Sequence, residues 1–248
     1  MDPLELAIAA ARAAGSLLRS HFGTPLTVDA LEAHDIKLEL DVKSQELITG
    51  MVLEHFPEHA IYGEEGIAGN QSSPFHWIID PIDGTVNFFY GIPHFCISIA
   101  LREHSDILLG VIYDPIRDEM WHVRKGGPPL LNGTQCSVST RANIGEAILS
   151  IGFSKTRTSI DSGLPLFQDL VYRARKCRLM GSAALDMAYV ASGRLDAYIE
   201  QSVSLWDIAA GILLVQSAGG SVKIETSAGN PDKLSVAATN GVLRFDER

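Results

Sequence analysis

Apolar residues recur every three to four positions from Leu4 to Phe22, the spacing of an amphipathic helix, and Gly23 stands where such a helix would end. A second helical stretch runs from about Val42 to His55 and is stopped by Pro57. The pattern then shortens. Ala60-Ile61-Tyr62 is strand-like and runs into Gly63-Glu64-Glu65-Gly66, and Ile78 and Ile79 read as the end of a buried strand. Pro81, which lacks an N–H, is not expected to continue that strand inside a sheet. Phe95 to Arg102 and Ile107 to Tyr113 read as strands joined by a polar turn, and Asp118 to Val123 adds another. The first half therefore predicts a largely antiparallel or mixed sheet. The second half is patterned differently. Strands over Ala147 to Ile151 and Ala197-Tyr198-Ile199 alternate there with helices over Leu164 to Arg175, Ala183 to Ala191 and Leu205 to Ala218. Short apolar stretches at Ser221 to Ile224 and Leu234 to Ala238 close the chain. The shift in pattern places a soft boundary near residue 140, between halves 1–140 and 141–248 of one compact unit.

Composition narrows the partners more than the fold. A net charge of −10 over 248 residues argues against nucleic acid, whose phosphate backbone needs clustered Lys and Arg. It leaves room for a small phosphorylated substrate, because bound cations reverse the local sign of a site. Three widely spaced cysteines, Cys96, Cys136 and Cys177, fit a reducing compartment. The N-terminus carries Asp2 and Glu5 rather than a basic leader, and no run approaches the ~20 apolar residues of a membrane span. The expectation is a cytoplasmic protein with no membrane contact.

Four acids stand at junctions between predicted elements: Glu64, Asp80, Asp83 and Asp207. Asp80 and Asp83 flank the break between an apolar run and the Gly84-Thr85 turn, the strand edge where open α/β sheets place their chemistry. Gly84 permits close backbone approach, and Thr85 is a candidate helix N-cap, so the turn offers amides to an anion beside carboxylates for a hard cation. Capping alone would explain Asp83 or Asp207 singly. It does not explain all four acids together.

These motifs resemble the inositol monophosphatase family of magnesium-dependent, lithium-sensitive phosphatases. Trp77-Ile78-Ile79-Asp80-Pro81-Ile82-Asp83-Gly84-Thr85-Val86-Asn87-Phe88, followed by Gly91-Ile92-Pro93, is similar to its first signature; Trp206-Asp207-Ile208-Ala209-Ala210-Gly211 is similar to its second; Gly63 to Gly66 matches its G-E-E-[SG] element. The resemblance implies a layered α-β-α-β-α sandwich and a homodimer. It also implies two or three Mg²⁺ ions held by Glu64, Asp80, the Ile82 carbonyl, Asp83 and Asp207. It assigns phosphate to the Gly84 and Thr85 amides, and catalysis to Asp41 and Thr85, which orient water, together with Glu64 and Asp83. The substrate pocket it implies is formed by Asp83, Gly181, Ser182, Ala183, Glu200 and Asp207. One departure stands out: relatives usually carry a lysine about eleven residues before the aspartate matched by Asp41, where this chain has Ala30, although Lys37 lies nearby.

The expected activity is hydrolysis of a phosphorylated polyol, inositol 1-phosphate first, with histidinol phosphate or fructose 1,6-bisphosphate as alternatives. A catalytically idle binding relative is the alternative of another class. An aspartyl-phosphate-forming phosphatase fits less well, since its aspartates are separated by one residue and Asp80 and Asp83 by two. His55 and His59 have the spacing of a zinc pair, but Pro57 between them breaks that helix. The aromatic cluster at Trp77, Phe88, Phe89, Tyr90 and Phe95 reads as packing or pocket lining, and Cys177 as structural despite its basic neighbours.

Overall fold

A computed structural model describes residues 1–32, 35–153, 157–227 and 233–245. The elements of the first half are α1 (Pro3–His21), β1 (Val28–Glu32), β2 (Asp35–Leu38), α2 (Glu39–His55), β3 (Ala60–Gly63), β4 (Gly66–Gly69), β5 (Phe75–Asp83), α3 (Thr85–Phe89), β6 (Cys96–Glu103), β7 (Asp106–Asp114), β8 (Glu119–Arg124), β9 (Leu130–Leu131) and β10 (Thr134–Gln135). Those that follow are β11 (Ile148–Ile151), α4 (Arg157–Arg173), β12 (Lys176–Arg178), α5 (Ala183–Ala191), β13 (Ala197–Val203), α6 (Leu205–Ser217), β14 (Ser221–Thr226) and β15 (Leu234–Thr239).

An eight-stranded sheet runs in the order β10-β9-β8-β7-β6-β5-β3-β4, and a five-stranded sheet in the order β12-β11-β13-β15-β14. The first is antiparallel apart from the β3–β5 pair. Helices α1 and α2 cover one face of it, while α5 and α6 lie between the two sheets and α4 packs outside the second. The molecule is therefore a five-layered α-β-α-β-α sandwich.

Both faces of the large sheet are buried, which is why its strands read as apolar runs rather than clean alternations. Along β5, Trp77 and Ile79 enter the core under α1 and α2, whereas Ile78 enters the core shared with α5 and α6. Close packing on the α6 side needs Gly110: a Cβ there would come within 2.8 Å of the Ala210 carbonyl oxygen.

Two expectations are corrected here. Strand β5 does continue through Pro81, because the register slips between Asp80 and Asp83 and the resulting bulge relieves proline of a ladder bond. The residue that caps α3 is Gly84, at φ 95°, and Thr85 is the first helical residue. A Cβ on Gly84 would also crowd the carbonyl oxygens of His94 and Gly181, at 3.0 and 3.1 Å. The hairpin β1–β2 and the short strands β4, β9, β10 and β12 lie in stretches with no clear apolar period and were not expected.

Candidate active site

The bulge at the end of β5 turns both aspartates toward a cavity of about 420 Å³ between the two halves. Glu64, Asp80, Ile82, Asp83, Gly84, Thr85, Gly181, Ser182, Ala183, Glu200 and Asp207 all line it. Asp41 stands just behind: its Oδ1 lies 3.4 Å from the Thr85 hydroxyl, which also donates to the Ile82 carbonyl at 2.8 Å.

Four of the acids are held by backbone donors. Asp80 accepts from the Ile82 N–H at 3.0 Å. Asp41 and Asp207 each sit in the first turn of a helix and accept from the N–H that precedes it, Leu38 and Ser204 respectively, both at 2.7 Å. Asp207 therefore does cap its helix. Asp83 caps no local turn, contrary to the simpler sequence reading. It crosses to the second half and accepts from the Ser182 hydroxyl at 2.5 Å and from the Ala183 and Ala184 N–H groups at 3.2 and 2.7 Å. Asn87 makes a crossing of its own, donating to the carbonyls of His94 and Met180, each at 2.8 Å.

The Glu64 turn is clamped from α2. Gln45 accepts from the Glu65 N–H at 2.9 Å and donates to the Gly66 carbonyl at 3.1 Å, and it packs where a Gly63 side chain would be. Lys37, directly across the β1–β2 hairpin from Ala30, places its ammonium 2.5 Å from Glu65. Lys37 thus brings a cation to the Glu64-Glu65 turn from the strand opposite Ala30.

The electrostatics follow from crowding acids in a dry place. Burial, and then the charges of Glu64, Asp83, Asp207 and Asp41, push Asp80 well above the usual carboxylate range. Asp83 is pushed up by burial, against the pull of its Ser182, Ala184 and Ala183 donors. Asp41 is raised to about 7, mainly by burial. Among the described residues no three His, Cys, Asp or Glu side chains already converge at ion-binding distance. The donors nevertheless suit Mg²⁺: all are oxygens, and their mutual repulsion around Asp80 is what a cation would relieve.

Sequence reasoning missed Asp186, Gly152 and Gln45. Asp186 hid inside a helix that is otherwise apolar. Among the signals outside the acidic motifs, His59 accepts from the Trp77 indole at 3.0 Å and stacks on Phe56 and Phe75, whereas Tyr90, expected to pack or to line a pocket, is 68% exposed and does not line the cavity. Phe88 packs edge-on against Phe95, and burial raises the Cys177 thiol rather than lowering it. No helix among the described residues is long and apolar enough to cross a membrane.

A family model described as the inositol monophosphatase family matches residues 2–242. A Xylella fastidiosa protein named Nus factor SuhB is 38% identical over 223 residues, covering 88% of this chain and 80% of its own. A Thermotoga maritima fructose-1,6-bisphosphatase/inositol-1-monophosphatase is 37% identical over 90% of this chain and 84% of its own. The solved structure of a Thermotoga maritima inositol monophosphatase superposes with a TM-score of 0.87 at 35% identity, covering 98% of this chain and 93% of that one.

Proposed function

The chain belongs to the inositol monophosphatase family, and from that premise we propose that it is a Mg²⁺-dependent phosphomonoesterase acting on a small phosphorylated polyol, inositol 1-phosphate first. The observation that carries the reading is the gathering of Glu64, Asp80, the Ile82 carbonyl, Asp83 and Asp207 around one cavity, beside the Asp41–Thr85 pair. Glu64, Asp80 and Ile82 would hold one Mg²⁺, and Asp80, Asp83 and Asp207 a second; a third, weaker ion would lie toward Asp41. Bound there, the cations supply charge neutralisation for phosphate and acidify water.

The chain's own residues do the rest. The Gly84 and Thr85 amides face the phosphate oxygens, and the preformed contact of Thr85 with Asp41 orients water and accepts its proton at Asp41, whose pKa near 7 suits that task. Asp83 and the Ser182–Ala184 segment tie the halves 1–140 and 141–248 into one unit at the site. Glu200, Gly181, Ser182 and Ala183 face the alcohol. A homodimer in the cytoplasm completes the reading, and a monomer by light scattering at micromolar concentration would remove that part of it.

The test is Mg²⁺-dependent phosphate release from inositol 1-phosphate, histidinol phosphate and fructose 1,6-bisphosphate, with and without lithium. Inositol 1-phosphate is expected to be preferred and its hydrolysis inhibited by lithium. A second reading, a factor that works by binding, is favoured by the name Nus factor that the Xylella fastidiosa relative carries. Absence of release from every ester would select it, and with it would go the expectation, drawn from net charge alone, that nucleic acid is no partner.

A further inference from the structure

Beyond the carboxylates already placed, the cavity has an acidic group with no role in the chemistry. Asp186, on α5, lines it while being only 2% exposed. Its Oδ2 accepts from the Ser150 hydroxyl at 2.7 Å, and its buried Oδ1 has no hydrogen-bond partner among the described residues. A buried polar atom left in this way costs about 1–3 kcal/mol, which a fold does not accumulate without a return. The surroundings hold it in place. Ser150 and Tyr198 are register neighbours on the parallel strands β11 and β13. Tyr198 donates to Glu200 at 2.6 Å, and Glu200 lies so close over Gly152 that a Cβ there would meet its oxygen at 1.6 Å. Asp186, held by Ser150, and Glu200, held by Tyr198, line the same cavity.

Building on the phosphomonoesterase reading, we propose that Asp186 is a specificity-determining residue whose unpartnered Oδ1 hydrogen-bonds a hydroxyl of the substrate's alcohol portion, away from the phosphorylated carbon. Burial raises Asp186 well above the usual carboxylate range, a direction that favours the protonated carboxyl, in which Oδ1 can donate. A donor at Asp186 beside an acceptor at Glu200 matches an alcohol, which is both; an ammonium, with donors only, would meet the Asp186 proton head-on.

The experiment compares kcat and KM of the wild type, Asp186→Leu, Asp186→Asn and Ser150→Ala on inositol 1-phosphate and on p-nitrophenyl phosphate, whose ring of similar size has no hydroxyl. Asp186→Leu is expected to raise KM for inositol 1-phosphate roughly 5- to 10-fold, one hydrogen bond's worth, and to leave p-nitrophenyl phosphate within about twofold. Asp186→Asn keeps a donor on one side and an acceptor on the other, and is expected to stay within about twofold of wild type on both. Ser150→Ala, which keeps the fold should the leucine not, is expected to raise KM for inositol 1-phosphate alone, by about threefold. Equal changes on both substrates, or none, would reduce Asp186 to a structural group and overturn the inference. A loss in Asp186→Asn as large as in Asp186→Leu would overturn it too, since it would require an ionised carboxylate. No phosphate release by the wild type from either ester would instead bring down the phosphatase reading itself.

Discussion

Asp41 is the residue whose placement says most about chemistry, because it touches the Thr85 hydroxyl without lining the cavity. Asp41→Asn preserves the acceptor for the Leu38 N–H and removes the proposed proton acceptor. It is expected to lower kcat roughly 100-fold while leaving the tight Mg²⁺ affinity nearly unchanged, as kinetics at saturating and limiting Mg²⁺ would show. Wild-type turnover would take Asp41 out of the reaction. His94 makes a different kind of prediction. Its buried Nε2 has no hydrogen-bond partner among the described residues, and burial lowers its pKa from 6.5 to about 4. The unfolded chain binds a proton near 6.5 that the folded chain refuses until about 4, so this residue's contribution to stability is full above 6.5 and declines as pH falls toward 4. The stability of His94→Leu relative to wild type is expected to improve across that window by at most about 3 kcal/mol, measured by urea unfolding at each pH. A pH-independent difference would contradict the assignment.

At the scale of elements, the site is a set of termini brought together by bulge, turn and helix start. The turn carrying Glu64 is shaped by α2 through Gln45. Gln45→Ala leaves the Glu65 N–H and Gly66 carbonyl without that partner. It is expected to cost about 1–3 kcal/mol and to raise the Mg²⁺ concentration for half-maximal activity roughly tenfold, readable by unfolding and by Mg²⁺ titration. Gly110→Ala tests the β7–α6 contact instead: overpacking against the Ala210 backbone should cost about 1–3 kcal/mol with the Mg²⁺ requirement unmoved. The long helices, α4 only from Leu164 onward, and the strands from β5 to β8 were legible in the sequence, because periodicity reports burial and these elements are buried on one or both faces. Pro81 misled, since the rule against proline in a ladder has bulges as its exception. Asp83 misled for another reason: its partners at Ser182 to Ala184 are distant in the chain, and local pattern carries no information on them. Asp186 was invisible because one acid in an apolar helix is indistinguishable by period from a solvated position.

At the scale of the whole molecule, five layers concentrate negative charge where two halves meet. Asp41, Asp80, Asp83 and Asp186 are all raised, so each favours the protonated folded state. Their contribution is full below the unfolded carboxylate value near 4 and is lost as pH rises through the folded one, about 7 for Asp41. A cation held there would bind the deprotonated groups and relieve the same repulsion. The rise in Tm on adding Mg²⁺ is therefore expected to be larger at about pH 8 than at about pH 5.5, by differential scanning calorimetry. A rise that shrank with increasing pH would mean that the ion binds elsewhere. The central claim, that these acids serve phosphoester hydrolysis through Mg²⁺, is met most directly by phosphate release from inositol 1-phosphate for wild type and Asp80→Asn, with Mg²⁺ and with EDTA. Asparagine keeps the bond from the Ile82 N–H and removes only the charge. The account predicts release by the wild type with Mg²⁺ alone, and a loss of roughly 100-fold or more in the variant. Equal release by both proteins, or release that persists in EDTA, would contradict it.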